Sequence, residues 1–351
     1  AQAALKRGLE ISPNHTGLKI QQALLSLAAK EAAPDQAALA ALAQSAAAIP
    51  RYAAAAALAQ ALEATNRGDR EAALTFARSA HKIQPNEPEY STRLGILFLG
   101  AGGNVTQATP LLEEHGEVMA KYDPSWALWR VRALLMSGRP RAAREVLGQV
   151  KLDSLDAATK LWHQELEVRC AHLDDDLSAL RAACESPATW IKPGVRRRIA
   201  CVEALLSRSR LKEAGQLVQG LKKPQLLLYG RGLQALAVGD VPTALRRLSR
   251  VNPQRLPDPV AHHLNLARAL TTKGDARMAV KTLRAAVELD ARSVRTRVAL
   301  ALSLVAGGHD SEAQSILEAI ITDKPTQPEI LGRAGEAFLS LGLPGKAQLL
   351  L

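Results

Sequence analysis

RYAAAAALAQALEATNRGDREAALTFARSAHKIQP, residues 51–85, is the stretch from which the fold can be read. Its first half carries Leu58, Ala61 and Leu62 on one face at helical spacing. Asn66, Arg67 and Gly68 end that helix, since glycine takes the left-handed conformation past a helix end without steric cost. Asp69 follows, where a short carboxylate caps the next helix and complements its dipole, a contribution of about 1 kcal/mol. Ala73, Ala77 and Ala80 form the inner face of the second helix, and Pro85 stops it. The stretch reads as two amphipathic helices folded back on each other through a tight turn.

Outward from this hairpin the same grammar recurs. Turn glycines stand at Gly68, Gly103, Gly138, Gly239, Gly274, Gly308 and Gly342. An alanine follows each at a fixed offset: Ala73, Ala108, Ala143, Ala244, Ala279, Ala313 and Ala347. Two rungs lack the glycine and are expected at Leu173 with Ser178 and at Ser209 with Ala214. The capped turn returns as Gly239-Asp240, Gly274-Asp275 and Gly308-His309-Asp310, and Pro124, Pro253 and Pro325 punctuate later boundaries. The alanine is small because the two helices cross nearest there, so a leucine at Ala279 or Ala313 should overpack the crossing.

A period of about 34 residues built from helix–turn–helix units is the signature of a repeat array, in which each unit buries its apolar face only against its neighbours. The expectation is therefore one all-α solenoid over residues 1–351. Repeats are expected at 14–50, 51–85, 86–124, 125–152, 153–187, 188–224, 225–253, 254–290 and 291–325, with truncated repeats at 1–13 and 326–351. Ala1 to Pro13 aligns with Ala73 to Pro85, and Gly345 to Leu351 stops inside a second helix. The chain thus reads as a piece of a longer protein.

Composition agrees. Hydrophobic residues make up 47% of the chain and aromatics only 3%, so the core must be built from Ala, Leu, Val and Ile with helices close together. Cys170, Cys184 and Cys201 are too few, and odd in number, for a disulfide framework. They read as small core residues, Cys201 at a helix–helix contact. A Cys170–Cys184 bridge within one hairpin is the alternative open to an oxidising compartment. No signal peptide, transit peptide or lipidation motif is visible, so the sequence assigns no compartment. The longest apolar stretch, Tyr52 to Leu62, is far shorter than a membrane span and contains Gln60.

The pattern resembles the tetratricopeptide repeat. That family's small residue midway in the first helix is matched by Ala61, Gly95, Gly232, Ala267, Ala301 and Gly335. Its small–aliphatic–small series on the second helix is matched by Ala279, Leu283 and Ala286, and more loosely by Ala244, Leu248 and Val251. Trp162 stands for the tryptophan early in the first helix. The resemblance covers the whole chain but is weakest over 140–224, where Glu185 replaces a small residue and one unit shortens to about 30 residues. It implies a right-handed superhelix of antiparallel hairpins whose first helices line a concave groove for a partner's peptide or helix. It places Tyr90, Arg93, Trp129, Arg132, His163, Arg196, Tyr229, Asn265, Arg268, Arg295 and Arg333 in that groove, with Lys160, Glu167 and Glu336 beside them. Asn265 and Arg268 resemble a fragment of the family's terminal-carboxylate clamp, whose other members are missing.

Charge adds a direction. The chain carries a formal +11, yet residues 1–124 hold 11 basic against 12 acidic side chains. Residues 192–297 hold 22 basic against 7 acidic, including Arg196-Arg197-Arg198, Lys222-Lys223 and Arg246-Arg247. Such an excess steers anionic partners: an acidic protein segment, an anionic polysaccharide, anionic lipid headgroups or nucleic acid. Sequence-specific RNA reading would need regularly placed polar readers and stacking aromatics, and Tyr229 is almost alone in this block.

Chemistry is sparse. There is no Gly-rich phosphate loop, nucleophile elbow or His-Glu-x-x-His pair, so neither a catalytic residue nor a cofactor is expected. His262 and His263 are adjacent on a helix and point apart. His163 and Glu167 are spaced for one helix face and read as a structural pair. Asp174-Asp175-Asp176 falls where a second helix begins, so capping accounts for it. The expectation is a protein-binding scaffold for an acidic partner. Two other classes fit the same features: an accessory region of a larger enzyme such as a glycosyltransferase, or a periplasmic scaffold for polysaccharide export. The alanine and arginine bias looks bacterial.

Overall fold

A computed structural model of the chain describes residues 2–29, 36–100, 105–185, 195–291, 293–322 and 328–350. Among them the structure is all-α. The chain divides into two compact units, residues 1–101 with 107–126 and residues 102–106 with 127–351.

The first unit is built from α1 (Gln2–Ile11), α2 (Thr16–Ala29), α3 (Gln36–Ala46), α4 (Pro50–Arg67), α5 (Arg70–Ile83), α6 (Pro88–Gly100) and α7 (Val105–Ala120). Its best-formed hairpin is α4 on α5, the pair whose sequence opened the reading. Gly68 adopts φ 84°, and the N–H groups of Gly68 and Asp69 close onto the carbonyls of Thr65 and Ala64. Asp69 accepts from the Ala72 N–H at 3.1 Å. Ala73, Ala77 and Ala80 are at most 1% exposed, so the inner face is as close-packed as its small residues require.

The second unit continues with α8 (Ser125–Met136), α9 (Pro140–Gly148), α10 (Ala157–Leu173), α11 (Leu177–Glu185), α12 (Val195–Ser207), α13 (Leu211–Gln219) and α14 (Pro224–Ala237). It ends with α15 (Val241–Leu248), α16 (Pro259–Lys273), α17 (Ala276–Leu289), α18 (Val294–Ala306), α19 (Asp310–Thr322), α20 (Pro328–Ser340) and α21 (Pro344–Gln348). Even-numbered helices are the first of each hairpin and odd-numbered ones the second. Gly138, Gly239, Gly274, Gly308 and Gly342 all take positive φ, and Ala143, Ala244, Ala279 and Ala313 are fully buried. Asp240 and Asp275 cap α15 and α17, whereas Asp310 is the first residue of α19 itself. At the hairpin crossing of α14 on α15, a Cβ on Gly232 would stand 2.7 Å from Leu248, so only glycine fits.

The glycine-free rungs differ in detail. Ser209 takes φ 56°, and Ala214 is fully buried, as the ladder requires. The other turn lies at Asp175, φ 60°, rather than at Leu173, and its buried partner is Leu180 rather than Ser178. Helix α10 runs on to Leu173, and an aspartate tolerates the left-handed region where a leucine does not. Asp176 then caps α11 by accepting from the Ala179 N–H, so the acidic triplet is turn and cap together. Gly103 and Pro325, with the repeat boundaries at 187/188 and 325/326, lie outside the described residues, as does the Glu185 side chain.

The cysteines also differ from expectation. Cys184 on α11 is disulfide-bonded to Cys201 on α12, with Cα atoms 5.8 Å apart, so the bridge crosses from one hairpin to the next. Cys170 does not join them because it faces another cluster, among Leu128, Leu134 and Leu166, and burial pushes its thiol up to about 12. It is a small core residue, as read.

Candidate functional site

The side chains placed on the first helices fall into two groups, those spent on holding helices together and those left exposed. In the first unit Tyr90 belongs to the former. It is 8% exposed and packs with Ala54, Leu58 and Ala80, and burial, with Glu89 and Glu87 nearby, pushes its hydroxyl up to about 12. Arg93 pairs with Glu89 at 2.9 Å and stands over the Trp126 ring at 5.4 Å.

In the second unit Trp129 of α8 meets Trp162 of α10 edge to face, with centroids 4.9 Å apart, and Arg132 stacks over Trp129 at 5.4 Å. Burial and the neighbouring Arg169 lower the Arg132 guanidinium from its ordinary value. Lys160, half-buried, lies in the first turn of the same helix as His163. His163 is buried, and its Nε2 donates to the Leu147 carbonyl at the end of α9 at 3.3 Å. His262 does the same to Leu248 at the end of α15, and Arg197 does so to Ala183 on α11. One device therefore recurs: a polar side chain of a first helix satisfies an orphan carbonyl of the preceding second helix. Glu167 lies between His163 Nδ1 at 3.8 Å and the Arg197 guanidinium at 3.7 Å, and with the latter forms an ion pair between α10 and α12.

Tyr229 and Asn265 come together directly, and the tyrosine also holds a residue the sequence reading missed, Glu203. Tyr229 is 1% exposed, and its hydroxyl donates to Glu203 Oε1 at 2.9 Å while accepting from Asn265 Nδ2 at 3.0 Å. Burial raises the Glu203 carboxyl above the usual carboxylate range, although Tyr229, Arg295 and Arg169 act against that rise. Burial and Glu203 together push the tyrosine hydroxyl far up. The chain Glu203–Tyr229–Asn265 stitches α12, α14 and α16. Its signal in the sequence was the lone carboxylate of α12, two helical turns beyond Arg196.

The exposed group is Arg196 on α12, Arg268 on α16, Arg295 on α18, and Arg333 with Glu336 on α20. Among the described residues no ion pair holds any of these four arginines. Several second-helix cations are paired between hairpins. Arg144 of α9 pairs with Asp174 and Asp176 at 3.1 and 2.9 Å, Arg181 of α11 with Glu213 of α13 at 2.8 Å, and Arg284 of α17 with Glu312 of α19 at 2.9 Å. Lys346 of α21 pairs with Glu318 of α19. Ion pairs thus occur on both kinds of helix, since Arg67, Arg93, Arg169 and Arg197 of first helices pair with Glu63, Glu89, Glu165 and Glu167, whereas the four exposed arginines above have none among the described residues. Among the described residues no group of three or more His, Cys, Asp or Glu could hold a metal ion, and no helix is long and apolar enough to cross a membrane.

No protein-family model and no curated relative matches the chain. Solved structures do match. The crystal structure of the APC/C hetero-tetramer Cut9–Hcn1 is 13% identical, with 85% of this chain and 59% of that one covered at a TM-score of 0.40. Naa15/Naa10 bound to HypK-THB is 14% identical, with 99% and 64% covered at 0.33. The TPR domain of P58(IPK) is 16% identical, with 84% and 90% covered at 0.28. The chain spans about three fifths of the length of the first two.

Proposed function

We propose that the chain is a non-catalytic binding scaffold, a run of tetratricopeptide-like hairpins whose first-helix side in the second unit takes an acidic segment of a protein partner. The observation that carries this reading is the set of four exposed arginines on first helices of the second unit, Arg196, Arg268, Arg295 and Arg333, that no ion pair holds among the described residues. Uncompensated cations on a rigid helical face raise the encounter rate with anionic partners and favour their retention. The 22-to-7 excess over residues 192–297 supplies the long-range part of that field.

The test reverses three exposed charges, in the variant Arg268→Glu/Arg295→Glu/Arg333→Glu. All three side chains are exposed and in no ion pair among the described residues, so the circular dichroism spectrum is expected to be unchanged, with a small fall in melting temperature because Arg295 acts on the buried Glu203 carboxyl. Capture of acidic protein at physiological salt is expected to fall by about tenfold. Unchanged capture by the folded variant removes the first-helix arginines from the mechanism. Capture of acidic polysaccharide alone, with no protein bound, favours the export-scaffold class instead.

A further inference from the structure

An open cleft of about 370 Å³ lies in the second unit, where α12 and α14 begin and the chain runs from a 3-10 turn, Pro253–Arg255, into α16. Its floor is apolar. Leu226 and Leu256 are buried there, with half-buried Leu161 and Val195 beside them. Its rim is cationic, formed by Arg196, Lys223 and Arg255, all exposed. Among the described residues no carboxylate lines it, and no hydrogen bond or ion pair holds any of the three side chains. Arg197 also reaches the wall but is committed to Ala183 and Glu167. Lys223 stands just before α14, where Asp156 and Asp258 stand before α10 and α16. A cation there opposes the helix dipole, so local stability does not account for it.

Three like charges around a shared concavity repel one another unless a counter-charge enters, which makes the cleft electrostatically complementary to carboxylates. The floor asks for something else. A bare anion would leave Leu226 and Leu256 without an apolar partner, and among the described residues no aromatic lines the cleft to stack a base. The volume is at the small end for ligand sites, suited to a few side chains rather than a folded element. We propose that this cleft anchors a short protein segment in which carboxylate side chains flank aliphatic ones. The proposal rests on the acidic-segment reading above and adds where such a segment is held and why acidity alone is insufficient.

The test uses the 351-residue chain and two fluorescein-labelled peptides, Glu-Glu-Leu-Leu-Glu-Glu and its Gly-Gly counterpart, followed by anisotropy at physiological salt. The leucine peptide is expected to bind about tenfold tighter than the glycine peptide. Lys223→Glu/Arg255→Glu is expected to lose that binding by about tenfold or more, with an unchanged circular dichroism spectrum. Equal binding of the two peptides overturns the proposal, as does equally tight binding of inorganic polyphosphate. Leucine-peptide binding that survives Lys223→Glu/Arg255→Glu but falls in Arg268→Glu/Arg295→Glu/Arg333→Glu overturns the cleft while leaving the scaffold reading standing.

Discussion

At the scale of single residues, stability is concentrated in two kinds of position, the buried alanine at each helix crossing and the left-handed residue at each turn. Ala279 and Ala313 are fully buried, and replacing either by Leu is expected to cost roughly 1–3 kcal/mol in urea denaturation. Gly239 has φ 80° and open space around a would-be Cβ, so Gly239→Ala should cost about 1 kcal/mol through conformation alone. Ser209 holds the same conformation, φ 56°, with a side chain that disfavours it. Ser209→Gly is therefore expected to stabilise the chain by a few tenths to about 1 kcal/mol, glycine's larger unfolded-state entropy offsetting part of the gain. A destabilised Ser209→Gly variant, measured the same way, would show that the serine hydroxyl matters more than its backbone.

At the scale of elements, side chains rather than loops hold neighbouring hairpins together. Tyr229→Phe removes the hydroxyl that links α12 to α16 and leaves Glu203 and Asn265 short of a partner, an expected cost of about 1–3 kcal/mol. Glu203 also makes stability depend on pH. Its folded-state pKa is raised, so the folded chain holds a proton that the unfolded chain has released. Stability relative to Glu203→Gln should therefore rise as pH falls through the raised value and level off near the ordinary glutamate value. Denaturation of both proteins across that window checks the sign, and a difference that falls with decreasing pH would contradict it. Asp176 acts in the opposite direction. The Ala179 N–H and Arg144 hold its carboxyl below the usual range, so its contribution is present at neutral pH and is lost in acid.

At the scale of the whole molecule, each hairpin of the second unit buries its core mainly against the next. The cluster around Leu283, Leu304 and Phe338 is separate from that around Leu128, Val131 and Leu166. In a quasi-one-dimensional array a local defect stays local. Hydrogen exchange on Ala279→Leu is expected to show lost protection in α16 to α19 and little change in α8 and α9. Uniform loss along the second unit would mean that it unfolds as one cooperative block. The disulfide between Cys184 and Cys201 joins α11 to α12, within the stretch where the repeat pattern is weakest.

The all-α class, the turn glycines and the buried alanines were legible in the sequence because each is a local demand. A left-handed turn needs glycine or a tolerant substitute, and a close crossing needs a small residue, whatever lies elsewhere in the chain. Asp69, Asp240 and Asp275 were legible as caps for the same reason. What only the tertiary structure decided were relations between repeats. Cys184 meets Cys201 rather than Cys170, Glu203 and Asn265 meet through Tyr229, and His163 turns inward to a carbonyl. So too did the division of arginines into paired and unpaired. A helix repeats its faces every 3.6 residues and so shows which side a residue occupies. Whether a partner waits on that side depends on the neighbouring hairpin, brought there by packing.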